Sequence, residues 1–319
     1  IEYYTSLVII SLIFFIIIGF FFYKSYRELQ SYALKAATHF QPSIRDLIIH
    51  LIQQVYYVVF LGIVLVIPLN SIIRDSLPPW VYLGVALIIS LGIQTIFVLF
   101  AFQSKRQLLA TAQIPVQMEI VEYVRQNHPK GHLINEFRFA EIELASLFLS
   151  AGVMTLGWSR NICLISQYFN WKLSEEELIA VLSHEEAHLA RHHIAKAYLI
   201  SGTDAILRAL RIFCVLTALT LLLNNEPLFA LESLFSWIFL LLILLVFFIS
   251  ACLVFIRHYR VYLQEIRADI YGGTLVGYEL LANTLKKLPS VIPAPISGRQ
   301  LDFLRFRISI LREEAKRSN

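Results

Sequence analysis

The sequence predicts a mainly α-helical membrane protein with about five transmembrane helices and an α+β part outside the bilayer. Two observations predict this fold class. First, 57% of the 319 residues are hydrophobic and only 16% are charged, whereas about a quarter of the residues of a soluble domain carry charge. Second, the chain contains several apolar runs of about 20 residues, which is the length a helix needs to cross the hydrocarbon core.

Five apolar runs account for the predicted spans. They cover residues 4–22, 51–69, 81–102, 206–223 and 234–256. The first run is longer than the core of a signal peptide and no small-residue cleavage site follows it, so we expect it to remain as an anchor. The fourth run is interrupted by Arg208 and Arg211, whose side chains would have to extend toward one interface.

The distribution of basic residues predicts the orientation in the membrane. With five spans, every Lys and Arg except Arg74 falls on one side, and basic loops stay in the cytoplasm. We therefore expect the N-terminus outside and residues 24–45, 105–203 and 257–319 in the cytoplasm, in the plasma membrane of a prokaryote. The net charge of +4 is explained by a basic face beside anionic lipids, and no nucleic-acid partner is expected.

The spans divide the chain into four parts. Residues 1–103 hold three spans and a basic loop, residues 104–203 form a cytoplasmic part, residues 204–256 form a transmembrane hairpin, and residues 257–319 form a C-terminal cytoplasmic part. In the cytoplasmic part, helical spacing of apolar residues predicts a helix within residues 115–127. Residues 137–144 and 161–169 are rich in β-branched and aromatic residues and predict strands or a hairpin.

The most informative motif is H-E-x-x-H at residues 184–188. Its two imidazoles lie one turn apart on one helix face and can bind one metal ion, and Glu185 can act as a general base beside them. Ser174 and Glu177 form the pattern of a capping box, which predicts a helix from about residue 175 to about residue 196. The motif therefore lies on a helix, as zinc chemistry of this type requires.

A catalytic zinc site needs a third protein ligand. Glu265 is the candidate, with Asp269 four residues later on the same helix face, where its carboxylate can orient a ligating imidazole. The two spans between the motif and Glu265 return the chain to the side of the membrane on which His184 lies. A basic helix could instead use Glu265 and Asp269 as ordinary surface ion-pair partners.

Several stretches resemble integral-membrane gluzincin zinc proteases, the group that includes HtpX and the CAAX prenyl endopeptidase, of the peptidase family forty-eight type. They are G-W-S-R at residues 157–160, I-C-L-I at 162–165, the approach to the motif at 173–183, and E-x-x-A-D at 265–269. The residues after the motif are also similar to antirepressor-type sensor proteases. Those proteases lack the two intervening spans, so the first group is the better match.

The resemblance, over roughly residues 151–273, implies a zincin-like (gluzincin) catalytic domain with one Zn²⁺ per chain. It implies His184, His188 and Glu265 as zinc ligands and Glu185 as general base. It also implies that the Asp269 carboxylate orients one of the ligating histidines. The sequence departs from the group at Glu186, where an aliphatic residue is usual. It also lacks a His-Pro pair within residues 297–311 and has three leading spans in place of the usual two.

The expected activity is hydrolysis of peptide bonds in membrane or membrane-proximal proteins, for quality control, maturation or regulated processing. The expected partners are a protein or peptide substrate and the lipid bilayer. A strand at residues 161–169 could hold the substrate by strand addition. Donors to the transition-state oxyanion could come from Tyr271, His258 or Arg260. The remaining basic residues predict a solvated or headgroup-facing surface, and they are Lys286, Lys287, Arg305, Arg307 and Arg312.

Two other functions fit parts of the sequence. His128 with His132, and His188 with His192 and His193, have the spacing of histidine boxes in membrane di-iron desaturases and hydroxylases. That interpretation lacks a third box and gives Glu185 and Glu265 no role. A catalytically inactive gluzincin-like scaffold is the non-enzymatic alternative, although no essential group is missing from the sequence.

Overall fold

The computed structural model of the chain describes residues 23–24, 27–32, 52, 84–85, 87–96, 99, 103, 114–127, 129, 134, 136–140, 151–156, 160–191, 193–223, 234–291 and 296–318. The predicted span at residues 4–22 lies outside the described residues. The predicted span at residues 51–69 lies outside them except for residue 52.

The part of the chain from residue 114 onward contains four described strands and seven described helices. The strands are β1 (Ile114–Pro115), β2 (Glu136–Ala140), β3 (Ala151–Leu156) and β4 (Arg160–Ser166). The helices are α1 (Met118–Asn127), α2 (Gln167–Lys172), α3 (Glu175–Ala190), α4 (His193–Leu223), α5 (Leu234–Val276), α6 (Tyr278–Val291) and α7 (Gly298–Ser318). The described structure is thus mostly helical, and the predicted helix within residues 115–127 is confirmed as α1.

The chain divides into two compact units. The first unit comprises residues 1–24, 42–101 and 198–258, and the second comprises residues 25–41, 102–197 and 259–319. Helices α4 and α5 each contribute residues to both units.

In the first unit, the predicted runs at residues 206–223 and 234–256 lie within α4 and α5. Within the described residues, Leu245–Val276 is the one helical segment long and apolar enough to cross a membrane. Its uninterrupted apolar run ends at Ile256, before Arg257. Ile212 and Leu216 of α4 are fully buried in a small apolar cluster of this unit.

Arg208 and Arg211 both contact a carboxylate of their own helix. The Arg208 guanidinium lies 2.6 Å from a carboxylate oxygen of Asp204, and Arg211 lies 3.7 Å from the other oxygen. Asp204 and Arg211 are both buried. Residues four and seven positions apart lie on one helix face, so the single carboxylate of Asp204 contacts both cations and compensates part of their charge.

The second unit contains a four-stranded sheet in the order β1-β2-β4-β3. β2 and β4 are parallel neighbours, with Phe137 opposite Cys163, and β3 is antiparallel to β4. The predicted strands are confirmed over residues 137–140 and 161–166, whereas residues 167–169 belong to α2. Residues 141–144 lie outside the described residues. The two strands do not form a hairpin with each other. Because β4 is paired on both sides, the prediction that it accepts a substrate strand is wrong, and β3 is the edge strand beside it.

Helix α3 begins as predicted and packs into the core of the second unit. The Glu177 amide donates to the Ser174 hydroxyl, and the Ser174 amide donates to the Glu177 carboxylate, which satisfies amides that have no partner inside the helix. Leu182 of α3 is fully buried in a core that also contains Phe139 of β2 and Leu281 of α6. The helix ends at Ala190, six residues earlier than predicted.

Candidate metal centre

Helix α3 holds the two motif histidines one turn apart. The ring centroids of His184 and His188 are 4.9 Å apart, and their Nε2 atoms are separated by 3.2 Å. His184 is 7% exposed and Glu185 is 5% exposed. The spacing of four residues places both rings on one helix face, as the sequence predicts, and this part of the helix is shielded from water.

Helix α5 brings Glu265 to the same two imidazoles. Its Oε2 atom lies 3.4 Å from Nε2 of His184, and its Oε1 atom lies 3.6 Å from Nε2 of His188. One ligand atom from each of the three residues lies within 4.8 Å of the others. Among the described residues, this is the group of His, Cys, Asp and Glu side chains close enough to hold a metal ion.

The separations among these donors fit a tetrahedral zinc ion. Nitrogen and oxygen ligands lie about 2.0–2.2 Å from zinc, which puts neighbouring ligand atoms of a tetrahedron about 3.3–3.6 Å apart. The observed separations are 3.2, 3.4 and 3.6 Å. Two imidazoles and one carboxylate also form the donor set of catalytic zinc sites that keep the fourth position open.

Asp269 orients the first histidine. One turn after Glu265 on α5, its Oδ1 atom accepts a hydrogen bond from Nδ1 of His184 at 2.8 Å. With Nδ1 bonded to Asp269, Nε2 is the nitrogen that would bind a metal ion, and the carboxylate makes that nitrogen a stronger electron-pair donor. Of the five residues predicted for the site, the structure brings together His184, His188, Glu265 and Asp269. Glu185 follows His184 on the buried part of α3.

The expectation that Arg307 lies on a solvated or headgroup-facing surface is wrong. It comes from α7, is 2% exposed, and donates from Nε and Nη2 to the two Asp269 oxygens at 2.6 and 2.7 Å. Its Nη1 atom also lies 3.1 Å from Oε2 of Glu265. The sequence contains a signal for this burial, because Arg307 falls at helical spacing within the buried apolar row of Leu304, Ile308 and Leu311.

The charges around the site determine its protonation. Burial alone would raise the pKa of the Glu265 and Asp269 carboxyls, but the Arg307 guanidinium and the hydrogen bonds of His184 hold both below their usual range. Burial lowers the pKa of His188 to about 4, so its imidazole is a neutral donor near pH 7. Burial also opposes the charge on His184, but Asp269 and Glu265 outweigh it and raise the pKa to about 10 without a metal.

The candidate oxyanion donors differ in their surroundings. The Tyr271 hydroxyl donates to Oε1 of Glu186 at 3.5 Å, and Glu186 is fully buried. The Arg191 guanidinium lies 5.8 Å from the centre of the Tyr271 ring. Arg260 is partly buried on α5, and the side chain of His258 lies outside the described residues. His128, His132, His192 and the side chain of His193, on which the histidine-box interpretation depends, lie outside them as well.

Gly272 permits the close approach of α5 to α3. A Cβ atom at this position would lie 3.1 Å from the backbone nitrogen of His184 and 3.2 Å from its Cα atom. Such contacts are tighter than packed side chains normally make, and both neighbouring atoms are backbone atoms that cannot rotate away. The missing side chain therefore lets Glu265 and Asp269 reach the histidines from the neighbouring helix.

Seven solved chains match this structure. The crystal structure of S. mikatae Ste24p is one of them. The match has 14% sequence identity and a TM-score of 0.40, and covers 83% of this chain and 66% of that one. This chain therefore spans slightly less than two thirds of the Ste24p chain. No curated protein matches the sequence.

The family comparison covers the site itself. The sequence model of peptidase family M48 matches residues 151–292, a segment that contains β3, β4, the whole of α3 and the part of α5 with Glu265 and Asp269. The family resemblance is thereby confirmed, because residues 151–292 of this chain are similar to peptidase family M48.

Proposed function

We propose that this protein is a membrane-embedded, zinc-dependent endopeptidase that hydrolyses peptide bonds of membrane or membrane-proximal proteins. The observation that carries the proposal is the convergence of His184, His188 and Glu265, with donor atoms separated by 3.2–3.6 Å. Glu185 adjoins the first of these ligands on a buried stretch of α3. A metal site with a carboxylate beside it is the arrangement that metal-assisted peptide hydrolysis uses.

The proposed reaction divides the work between the metal and the protein. Bound zinc supplies a Lewis acid that polarises the scissile carbonyl and lowers the pKa of a water molecule toward 7. Glu185 accepts a proton from that water as the water oxygen bonds to the carbonyl carbon. The same carboxyl then delivers the proton to the amide nitrogen as the carbon–nitrogen bond breaks, which yields a free acid and a free amine.

Edge strand β3 is the proposed binding site for the substrate. In the sheet order β1-β2-β4-β3 it is paired on one side by β4 and packs against α3. An extended peptide can form main-chain hydrogen bonds with the outer side of such a strand, which holds the peptide along its length without regard to most side chains. This arrangement suits an endopeptidase, because an extended segment continues past the bond that is cut.

We further propose that the active site faces the cytoplasm. Nearly all Lys and Arg residues fall on one side of the five-span arrangement, and basic segments are retained in the cytoplasm. The bond from Nε of Arg267 to Glu28 at 2.8 Å supports this orientation. It joins the predicted cytoplasmic loop at residues 24–45 to α5, two residues after Glu265.

The test compares purified full-length wild type with Glu185→Gln. Metal content is measured by mass spectrometry, and cleavage is measured with casein and a quenched fluorescent peptide library. We expect one zinc ion per chain in both proteins and roughly a 10²- to 10⁴-fold loss of cleavage in the variant, which is typical of a lost general base. The matched control is Glu176→Gln, which changes an exposed glutamate in the first turn of the same helix.

Other outcomes would contradict the proposal. Full cleavage by Glu185→Gln with zinc retained would exclude the general-base role. Zinc in the wild type without cleavage of any substrate would favour the inactive scaffold. Two irons per chain in place of one zinc would support the histidine-box oxygenase.

A further inference from the structure

A groove of about 590 Å³ lies along α6 and α7 in the second unit. None of the residues that line it belongs to the candidate metal centre. Its cationic residues are Lys286 of α6 and Arg305, Arg312 and Lys316 of α7, against a single carboxylate, Glu313. The volume is in the range of sites that hold small molecules. We propose that this groove binds the anionic headgroup of a phospholipid.

The positive charge of the groove is only partly balanced by the protein itself. Arg305 is paired with Asp302 at 3.3 Å, and Lys316 lies 3.7 Å from Glu313. Within the described part of the chain, neither Lys286 nor Arg312 forms an ion pair. The adjacent Lys287 contrasts with Lys286, because Lys287 bonds to Glu177 of α3 at 2.7 Å. Two cations of the groove are therefore available to an anion from outside.

The cations follow one face of α7. Arg305, Ser309, Arg312 and Lys316 are spaced by four, three and four residues, so they form a row along the groove. Lys286 reaches the groove from α6, the neighbouring helix. Clusters of four or more basic residues next to a membrane are typical of sites for anionic lipids, since the cytoplasmic leaflet has a negative surface potential.

The apolar lining distinguishes a lipid from other anions. Pro289, Leu301 and Ile308 line the groove together with the cations. A phospholipid offers both a phosphate for the cations and glycerol and acyl carbons for these apolar side chains. The walls are helices whose backbone groups bond within each helix, so the groove offers no strand edge to an extended peptide. Charge and apolar surface together favour a lipid headgroup over free phosphate.

This inference rests on the membrane location in the proposed function but not on peptidase activity. The test uses the full chain in neutral detergent and native mass spectrometry to titrate bound dihexanoyl phosphatidylglycerol. We expect this anionic lipid to bind at least about tenfold more tightly than dihexanoyl phosphatidylcholine at low salt. The variant Lys286→Gln/Arg312→Gln should lose roughly 30-fold in affinity, since each basic residue near an anionic lipid contributes about a factor of five.

The control variant is Lys172→Gln/Arg125→Gln, which removes the same charge from exposed positions on α2 and α1 outside the groove. It should bind like the wild type. Equal binding of the two lipids, or equal losses in the two variants, would overturn the proposal. Tighter binding of inorganic phosphate or of an acidic helical peptide than of the anionic lipid would also overturn it. Casein cleavage is measured for each variant in parallel. Loss of lipid binding with intact cleavage concerns the groove alone, and loss of cleavage with intact lipid binding concerns the proposed peptidase alone.

Discussion

Arg307 of α7 and Asp269 of α5 form a buried ion pair that is joined by two hydrogen bonds. The two residues lie 38 positions apart in the chain. Each side chain is 2% exposed. Asp269 also accepts the Nδ1 proton of His184. His184, Asp269 and Arg307 therefore form one connected chain of hydrogen bonds from α3 through α5 to α7.

Replacing Arg307 by alanine should weaken both the fold and the metal site. The change leaves the Asp269 carboxylate buried without its cation, which costs about 3–5 kcal/mol in the free energy of unfolding. The control is Arg305→Ala on the same helix, because the Arg305 side chain is 76% exposed and pairs only with Asp302 among the described residues. Thermal unfolding and zinc content measure both effects. Equal unfolding temperatures and zinc contents for the two variants would refute the role of Arg307.

Asp269→Ala should weaken zinc binding about 10- to 100-fold, which is usual when the acceptor behind a ligating histidine is lost. Asp269→Asn should lose less, because its amide oxygen can still accept the Nδ1 proton of His184. Competition with a fluorescent chelator gives the zinc affinity of each variant. If the alanine and asparagine variants bound zinc equally well, the orienting role of this acceptor would be excluded.

Gly272→Ala tests the close approach of α5 to α3. The added methyl group would meet backbone atoms of His184 at 3.1–3.2 Å, so the helices must move apart by a few tenths of an ångström. We expect a loss of about 1–3 kcal/mol in the free energy of unfolding and a lower zinc content. Gly298→Ala is the matched control, because no atom lies within 4 Å of a Cβ there. A stable, fully zinc-loaded Gly272→Ala protein would show that the contact is not required.

Cys163 should be unreactive in the folded protein. It is fully buried on β4, and burial together with the charge of Glu185 raises the pKa of its thiol well above the usual value. Only the thiolate reacts with iodoacetamide, so modification at pH 8 should be slow before unfolding and fast after it. Mass spectrometry of the Cys163 peptide measures both rates, and rapid modification of the native protein would contradict this burial.

The residues that local spacing governs are the ones the sequence predicts well. His184 and His188 share a face because one helix carries both, and the capping box of Ser174 and Glu177 marks where that helix begins. Glu265 and Asp269 follow the same rule on α5. In each case the relative position of the two residues is determined within one or two helical turns, so their spacing in the sequence predicts it.

Long-range contacts account for what the sequence did not predict. Arg307 looks like a surface cation because its two carboxylate partners lie on α5, and only the folded chain brings them together. The parallel pairing of β2 with β4 depends on β3 occupying the other side of β4, and no local pattern specifies that order. The break of helix after Ala190 also follows no proline or glycine in the sequence.

The position of Arg307 in the chain bears on when the protein can become active during its synthesis. The histidines are translated first, Glu265 and Asp269 follow, and the cation that neutralises Asp269 emerges last, on α7. A nascent chain that has displayed all three metal ligands still lacks this charge. For the proposed peptidase, we therefore expect the metal centre to be fully assembled only after α7 has left the ribosome.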